Sequence, residues 1–186
     1  MNPSAPDPKT LKPSRIYLTG FMGAGKSTIG KILAQRMGYR FYDTDHLVVK
    51  GFHKPMSAIF AENGEAAFRK AELMVLKELA QRHQVIISTG GGTLVRDETF
   101  QIARQSGQLI YLRAPVSDLY ERVIFSPKDR PQVDVPEEEA TFRAYFEQRR
   151  HYYEQADLTV DTVHRKPDDV VQEILRKLSL EALDHA

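Results

Sequence analysis

The chain has 186 residues, of which 41% are hydrophobic and 27% charged, a mixture that is typical of a globular domain and excludes a fibre or a disordered chain. One domain with a single core is expected at this length. The 26 Lys and Arg residues balance the 25 Asp and Glu residues, so no net field attracts the chain to nucleic acid or to an anionic membrane, and we expect neither partner. The absence of cysteine excludes disulfides and thiolate metal sites.

Residues 1–14 contain four prolines and lack the apolar region of a signal peptide, so we interpret them as a flexible leader. The longest apolar stretches are far shorter than the roughly 18 residues that a membrane-spanning helix needs. These features predict a soluble, intracellular protein.

Short apolar strands and helical patterns alternate along the chain. Strands are predicted at residues 15–19, 40–42, 85–88, 109–112 and 158–160, and helical spacing appears from Ile29 to Leu33 and over residues 65–81, 137–154 and 168–180. This order predicts a three-layer α/β/α fold with a central parallel sheet of about five strands, which binds ligands beyond the carboxyl ends of the strands. We expect one domain over residues 15–180 and a tail at 181–186.

The most specific motif is Gly-Phe-Met-Gly-Ala-Gly-Lys-Ser at residues 20–27, between a predicted strand and a predicted helix. It matches the phosphate-binding P-loop, in which backbone N–H groups and a helix N-terminus hold phosphates, the lysine reaches the outer phosphates and the serine binds Mg²⁺. The predicted ATP-binding residues here are Gly23, Ala24, Gly25, Lys26, Ser27 and Thr28. The alternative is a Gly-rich turn that arose by chance, which the strand–loop–helix context disfavours.

A P-loop alone leaves a kinase, a GTPase and a motor ATPase open. The second predicted strand leads into Asp43-Thr44-Asp45, and both carboxylates would point the same way if the strand continued through them. One could then hold Mg²⁺ through water while the other accepts the proton of an attacking hydroxyl, as a kinase requires. The alternative is that the pair caps a turn or a helix. The chain has no Asn-Lys-x-Asp motif for reading guanine, which disfavours a GTPase.

The order of motifs resembles the shikimate kinase family from about residue 15 to residue 178. After the P-loop come Asp-Thr-Asp at 43–45, Phe-Arg-Lys-Ala-Glu at 68–72, three glycines at 90–92, Arg-Pro at 130–131, and Arg149 with Tyr153. The resemblance implies a P-loop kinase fold with a mobile lid at about residues 125–136. It also implies a monomeric shikimate 3-kinase that uses ATP with Mg²⁺ in aromatic amino-acid biosynthesis. Such an enzyme works in the cytoplasm or in a plastid, and since residues 1–14 do not resemble a transit peptide, we expect bacterial cytoplasm.

The same resemblance implies roles for residues that bind the acceptor. Asp45 would bind the acceptor hydroxyls and act as the base, and Asp43 would serve Mg²⁺ through water. Arg69 and Arg149 would bind the substrate carboxylate, for which guanidinium groups are well shaped. Three glycines, Gly90, Gly91 and Gly92, would let the backbone approach the ring.

On the nucleotide side, the resemblance makes Arg130 a lid residue that stabilises the transferring phosphoryl group and excludes water. Arg122 and Arg165, the latter within the segment 165–167, would form walls of the adenine pocket.

Each motif also has a plainer interpretation when taken singly. Arg69 and Glu72 could form a surface i,i+3 ion pair, the glycines a flexible turn, Arg149 and Arg150 a solvated helix face, and Arg130 an exposed loop residue. The sequence departs from the family pattern at Val49, at residues 50–56 and at Gln132-Val133. Another small-metabolite kinase, acting on aminoshikimate, gluconate or a nucleoside monophosphate, therefore stays open, as does a non-catalytic binding protein.

Two further features have structural rather than chemical interpretations. We expect His46 to be a solvated neighbour of Asp45 rather than a second base. The aromatic residues of the segment 137–154 have helical spacing and are expected in the core: Phe142, Tyr145, Phe146, Tyr152 and Tyr153.

Overall fold

The five predicted strands all form and lie in one parallel sheet. In the computed structural model, which describes residues 13–125 and 138–184, the strands are β1 Arg15–Thr19, β2 Arg40–Asp43, β3 Val85–Ser88, β4 Gln108–Arg113 and β5 Leu158–Asp161. Their order in the sheet is β2-β3-β1-β4-β5, and every pairing is parallel. The prediction of a parallel sheet of about five strands is confirmed.

Helices connect the strands. The described residues form α1 Lys26–Met37, α2 Thr44–Phe52, α3 Met56–Leu79, α4 Asp97–Ser106, α5 Val116–Ile124, α6 Glu139–Tyr153 and α7 Pro167–Asp184. Among these, α2, α4 and α5 are only nine or ten residues long, so their hydrophobic periodicity is too brief to predict them firmly. The helix α7 continues four residues past the predicted domain end at residue 180.

The third helix is longer than predicted because it contains a break. Gly64 has φ 78° and ψ 166°, a conformation that is open to glycine and costly for other residues. The part after Gly64 matches the predicted helix over residues 65–81. The part before it follows α2 and packs with it.

Side chains on the two faces of β1 belong to different core clusters. Ile16 and Leu18 pack with α1 and α7, whereas Tyr17, which points to the opposite face, packs with α3 and α4. The sheet is therefore covered by helices on both faces, which confirms the predicted three-layer α/β/α fold. A small third cluster of Val48, Ile59 and Phe68 joins α2 to α3.

The parallel arrangement brings the predicted motifs to one edge of the sheet. Leu18 in β1 is in register with Ser88 in β3, and Asp43 in β2 is in register with the same serine. The P-loop, the Asp-Thr-Asp motif and the three glycines therefore leave the sheet side by side at its carboxyl edge. Within the described ranges, no helix is long and apolar enough to cross a membrane.

Candidate active site

The P-loop connects β1 to α1 through glycines that hold unusual backbone angles. Gly25 is the N-cap of α1 with φ 89°, and Gly23 has φ 83°. A Cβ at Gly23 would also lie 2.9 Å from the carbonyl oxygen of Leu119, so both the backbone angle and the space require glycine there. Lys26 curls back over the loop, and its Nζ donates to the carbonyl oxygens of Gly20 at 2.7 Å and Phe21 at 3.0 Å.

The hydroxyl of Ser27 links the P-loop to the Asp-Thr-Asp motif. It donates to Oδ2 of Asp43 at 2.7 Å and lies 3.3 Å from the hydroxyl of Ser88. These groups are oxygen donors of the kind that Mg²⁺ prefers, and Mg²⁺ is usually bound by one or two carboxylates together with substrate phosphates and water. The described residues contain no cluster of three or more His, Cys, Asp or Glu side chains that could hold a metal ion by themselves. The residues present therefore fit a magnesium ion that arrives with a nucleotide.

The strand β2 does not continue through Asp45, so the condition for the two carboxylates to point the same way is not met. β2 ends at Asp43, which is the N-cap of α2 and accepts a hydrogen bond from the backbone N–H of His46 at 3.3 Å. Asp45 lies in the first turn of α2, so the helix, and not the alternation of a strand, determines its direction. Asp43 therefore caps α2, which was the alternative interpretation of the Asp-Thr-Asp motif. It also accepts a hydrogen bond from the P-loop serine.

The surroundings of Asp45 oppose its negative charge. Burial, followed by the charges of Asp43 and Glu72, raises the pKa of Asp45 to about 7, while Lys26 and Arg69 act in the opposite direction. A carboxylate with a pKa near neutrality can accept a proton in one step and release it in the next. His46, by contrast, is exposed, as expected.

The glycine segment 90–92 lies directly against two predicted substrate-binding side chains. A Cβ at Gly90 would be 2.1 Å from Oδ1 of Asp45, and a Cβ at Gly92 would be 2.9 Å from Nη1 of Arg69. Gly90 is also fixed through its backbone N–H, which donates to the hydroxyl of Thr44 at 2.8 Å. The segment therefore packs closely against Asp45 and Arg69, which favours the interpretation of close backbone approach over an ordinary turn for Gly90 and Gly92.

Arg69 is held by carboxylates on both sides of its position in α3. Its Nη1 donates to Oε2 of Glu72 at 2.8 Å, and its Nε donates to Oε1 of Glu65 at 3.0 Å. The side chain of Glu72 is only 1% exposed, so this pair is not the surface ion pair that spacing alone would suggest. The guanidinium is thereby oriented beside Gly92 and Asp45.

Arg149 lies on α6, far along the chain from Arg69. Its guanidinium carbon is 3.2 Å from the centre of the Tyr145 ring, and its Nη1 donates to the Tyr145 carbonyl at 2.8 Å. One turn later, the hydroxyl of buried Tyr153 donates to the carbonyl of Gly91 at 2.8 Å. Helix α6 is thus fastened to the glycine segment, although the contacts of Arg149 itself are with its own helix.

Three of the five aromatic residues of α6 lie in the core as expected, and the other two, Tyr145 and Tyr152, are partly buried at its edge. Phe142, Phe146 and Tyr153 are buried, Tyr145 packs against the same cluster, and Tyr152 packs against the cluster on the other side of the sheet.

A cavity of about 750 Å³ opens beside the P-loop. It combines P-loop residues with the two arginines predicted to form the adenine pocket, and its lining consists of Gly23, Ala24, Gly25, Thr28, Ile29, Arg122, Thr162, His164, Arg165, Lys166, Pro167 and Val170. Arg122 is fixed by donating to the carbonyl of Thr162 at 3.2 Å, and Arg165 by donating to that of Asp161 at 3.1 Å. The predicted lid and Arg130 lie outside the described residues, apart from Phe125 at its start.

Sequence reasoning missed several residues of the site. Thr162 and His164 line the cavity beside the P-loop, and Thr93 and Arg96 surround Glu72. One signal for the last group was available, because Glu72 falls at a core-facing position between Phe68 and Leu76 in α3. A carboxylate on the buried face of a helix needs polar partners.

A P-loop at the carboxyl edge of a parallel sheet, with a carboxylate and an arginine beside it, defines a small-molecule kinase of the P-loop class. A family model described as shikimate kinase matches residues 22–179. The chain belongs to the shikimate kinase family, and the predicted resemblance is confirmed.

Individual relatives agree with this assignment. A shikimate kinase from Chlorobium chlorochromatii is 40% identical over 175 residues, which cover 90% of this chain and 92% of that protein. The structure of shikimate kinase from Acinetobacter baumannii in complex with shikimate is 33% identical, has a TM-score of 0.83, and covers 92% of this chain and 97% of that one. The Aquifex aeolicus shikimate kinase structure is 37% identical with a TM-score of 0.77, covering 91% and 98%.

Proposed function

We propose that this chain is a shikimate 3-kinase, which transfers the γ-phosphoryl group of ATP to the 3-hydroxyl of shikimate. The observation that carries the proposal is the position of Asp45 and Arg69, which both lie against the segment 90–92 beside the P-loop. This arrangement offers one acidic group for a hydroxyl and one guanidinium for a carboxylate within a single site, as a hydroxylated ring acid requires.

ATP would bind with its phosphates over the P-loop backbone and its base in the 750 Å³ cavity between Arg122 and Arg165. Mg²⁺ would be held by the hydroxyl of Ser27 and, through water, by Asp43, and would supply positive charge to the phosphates. Lys26, which donates to backbone carbonyls of its own loop, would turn to the outer phosphates.

Asp45 would orient the acceptor hydroxyl and take its proton while the hydroxyl oxygen attacks the γ-phosphorus. The new oxygen–phosphorus bond forms as the bond between the γ-phosphorus and the bridging oxygen of ADP breaks. The proton stays on Asp45 until it is released to water. Arg69 and Arg149 would hold the acceptor carboxylate, and Arg130 would stabilise the transferring group.

The proposal is tested by measuring ADP release from MgATP without acceptor and with shikimate, aminoshikimate, quinate, gluconate or a nucleoside monophosphate at equal concentration. We expect shikimate to stimulate release far more than the others. Strong stimulation by gluconate or by a nucleotide instead would assign the chain to another acceptor, and ATP binding without stimulation by any of them would favour a binding protein.

The carboxylate assignment has its own test. Arg149→Ala and Arg69→Gln should each raise the KM for shikimate by about tenfold or more, since each removes a charged hydrogen bond worth about 1.5–3 kcal/mol. The matched control is Arg143→Ala, an exposed arginine on α6 that pairs with Glu139. An unchanged KM in the Arg149 variant would remove that residue from the carboxylate site.

A further inference from the structure

Glu72 is a buried carboxylate that several groups share. Its Oε2 accepts from Nη1 of Arg69 at 2.8 Å and lies 3.4 Å from Nη2 of Arg96, and its Oε1 accepts from the hydroxyl of Thr93 at 2.7 Å. The side chain of Glu72 is 1% exposed and that of Arg96 is 35% exposed. Two cations and one hydroxyl therefore meet at one anion.

The net charge of this cluster determines how strongly it attracts the carboxylate of an acceptor. Arg69 and Glu72 by themselves form a neutral pair, and a neutral pair attracts an anion only weakly. Arg96 adds a second positive charge next to Glu72, which leaves the three side chains with a net charge of +1. The other acidic partner of Arg69, Glu65, is 66% exposed, so solvent screens its charge.

The backbone of Arg96, and not its side chain, has the structural role of starting α4. Its backbone carbonyl accepts from the hydroxyl of Thr99 and from the N–H of Phe100, both at 2.9 Å, and so starts α4 whatever side chain is present. Its Nε is buried and has no hydrogen-bond partner within the described part of the chain. A side chain that was present only to fasten α4 would be expected to satisfy this group.

We propose that Arg96 is a positioning residue for the acceptor carboxylate. It offsets the charge of Glu72, so that Glu72 can hold Arg69 in place without cancelling the attraction of Arg69 for the substrate. This inference rests on the proposed function, and it concerns a residue that acts through Glu72 and Arg69 rather than by touching the substrate.

The test compares two acceptors, shikimate and its counterpart in which a hydroxymethyl group replaces the carboxylate. We expect Arg96→Gln to lower kcat/KM for shikimate about tenfold, equal to about 1.4 kcal/mol, mainly through KM. The KM for ATP and the kcat/KM for the hydroxymethyl compound should change less than about twofold, because a neutral acceptor does not depend on the net charge of the cluster. Arg96→Lys should recover most of the shikimate activity, because it keeps the charge.

The control is Arg104→Gln, the same change at an exposed position on α4, which should leave both acceptors unaffected. If Arg96→Gln does not fold, Arg96→Met takes its place, since an apolar side chain needs no hydrogen-bond partner. Equal losses for both acceptors, no loss for shikimate, or a Lys variant as poor as the Gln variant would each overturn the inference.

The variant Arg69→Gln distinguishes a failure of the proposed carboxylate site from a failure of the role proposed for Arg96. If it lowers shikimate activity and Arg96→Gln does not, the carboxylate site stands and only the role of Arg96 is wrong. If Arg69→Gln has no effect on shikimate, the carboxylate site itself is wrong.

Discussion

At the scale of single residues, the site depends on carboxylates whose surroundings differ. Asp43 accepts hydrogen bonds from Ser27 and from the backbone of α2, so its charge is satisfied. Asp45 is partly buried, and its removal from water, together with the charges of Asp43 and Glu72, raises its pKa to about 7. The two neighbouring aspartates thereby differ: Asp43 is hydrogen-bonded to the P-loop serine and to α2, whereas the pKa of Asp45 is raised.

Replacing Asp45 with Asn should lower kcat by a factor of about 10²–10⁴, because the base that accepts the hydroxyl proton is lost. The fold should survive. Turnover measured alongside thermal unfolding checks this, and His46→Gln is the control, since it changes the exposed neighbour only. Turnover close to that of the wild type in the Asn variant would contradict the role of Asp45 as base.

The raised pKa of Asp45 also predicts how stability depends on pH. The folded protein retains a proton on Asp45 between pH values of about 4 and 7 while the unfolded chain has lost it, so the free energy of unfolding falls as pH rises through this range. Above pH 7 the ionised group destabilises the fold. The Asn variant lacks this penalty, so its Tm relative to wild type should be higher at pH 8 than at pH 4.5. A difference that does not change with pH would show that Asp45 titrates normally.

The protonation of Asp45 can also be measured directly. The carboxyl ¹³C signal of Asp45 in the ligand-free protein should titrate with a midpoint near pH 7, and it should be absent from the Asn variant. The pH dependence of kcat/KM for shikimate at saturating MgATP should also show an acid limb, because a protonated Asp45 cannot take the proton of the acceptor hydroxyl.

At the scale of elements, the glycine segment after β3 joins three parts of the molecule. Its backbone N–H at Gly90 binds Thr44 at the start of α2, and its carbonyl at Gly91 binds Tyr153 at the end of α6. It also leaves space for Asp45 and Arg69. A shift in this segment would thus move both groups that are proposed to hold the acceptor.

Gly90→Ala should reduce kcat by about a hundredfold, because the new Cβ would lie 2.1 Å from Oδ1 of Asp45 and displace the carboxylate. Gly91→Ala is the comparison, since its Cβ would meet its nearest atom, the backbone nitrogen of Met22, at an ordinary 3.8 Å. We expect the milder loss in the Gly91 variant. Equal losses would mean that crowding at Asp45 is not the cause.

Tyr153→Phe should lower the free energy of unfolding by about 1 kcal/mol, because the partly buried carbonyl of Gly91 loses its hydrogen-bond partner. The KM for shikimate should also rise. Tyr152→Phe is the matched control on the same helix, since its hydroxyl donates to Asp97 at an exposed position and should matter less. Denaturant unfolding of both variants measures the difference.

At the scale of the whole molecule, the cavity beside the P-loop is assembled from distant parts of the chain. The P-loop supplies one wall, α5 supplies Arg122, and the turn before α7 supplies Arg165. α7 packs its buried residues Val170, Val171 and Ile174 into the same core cluster as Ile29 and Leu33 of α1. A ligand in this cavity would therefore stabilise contacts between the two ends of the fold.

A non-hydrolysable ATP analogue with Mg²⁺ at 100 times its Kd should raise the free energy of unfolding by about 2.7 kcal/mol. This corresponds to a rise in Tm of roughly 2–4 °C per kcal/mol for a protein of this size. Lys26→Met should abolish most of the rise, whereas Lys31→Met, an exposed lysine on the same helix, should retain it. A full rise in the Lys26 variant would contradict binding of the phosphates at the P-loop.

The sequence by itself determined the five strands, the parallel α/β fold and the family, because these depend on local patterns: apolar runs bounded by Gly-rich turns and motifs in a fixed order. It could not determine that β2 ends at Asp43, since a short strand and a capped helix accommodate Asp-Thr-Asp equally well. Only the tertiary structure decided that Glu72 is buried between Arg69 and Arg96, and that Gly90 and Gly92 leave space for Asp45 and Arg69. The physical reason is that burial and contact depend on groups far apart in the chain, which sequence spacing does not record.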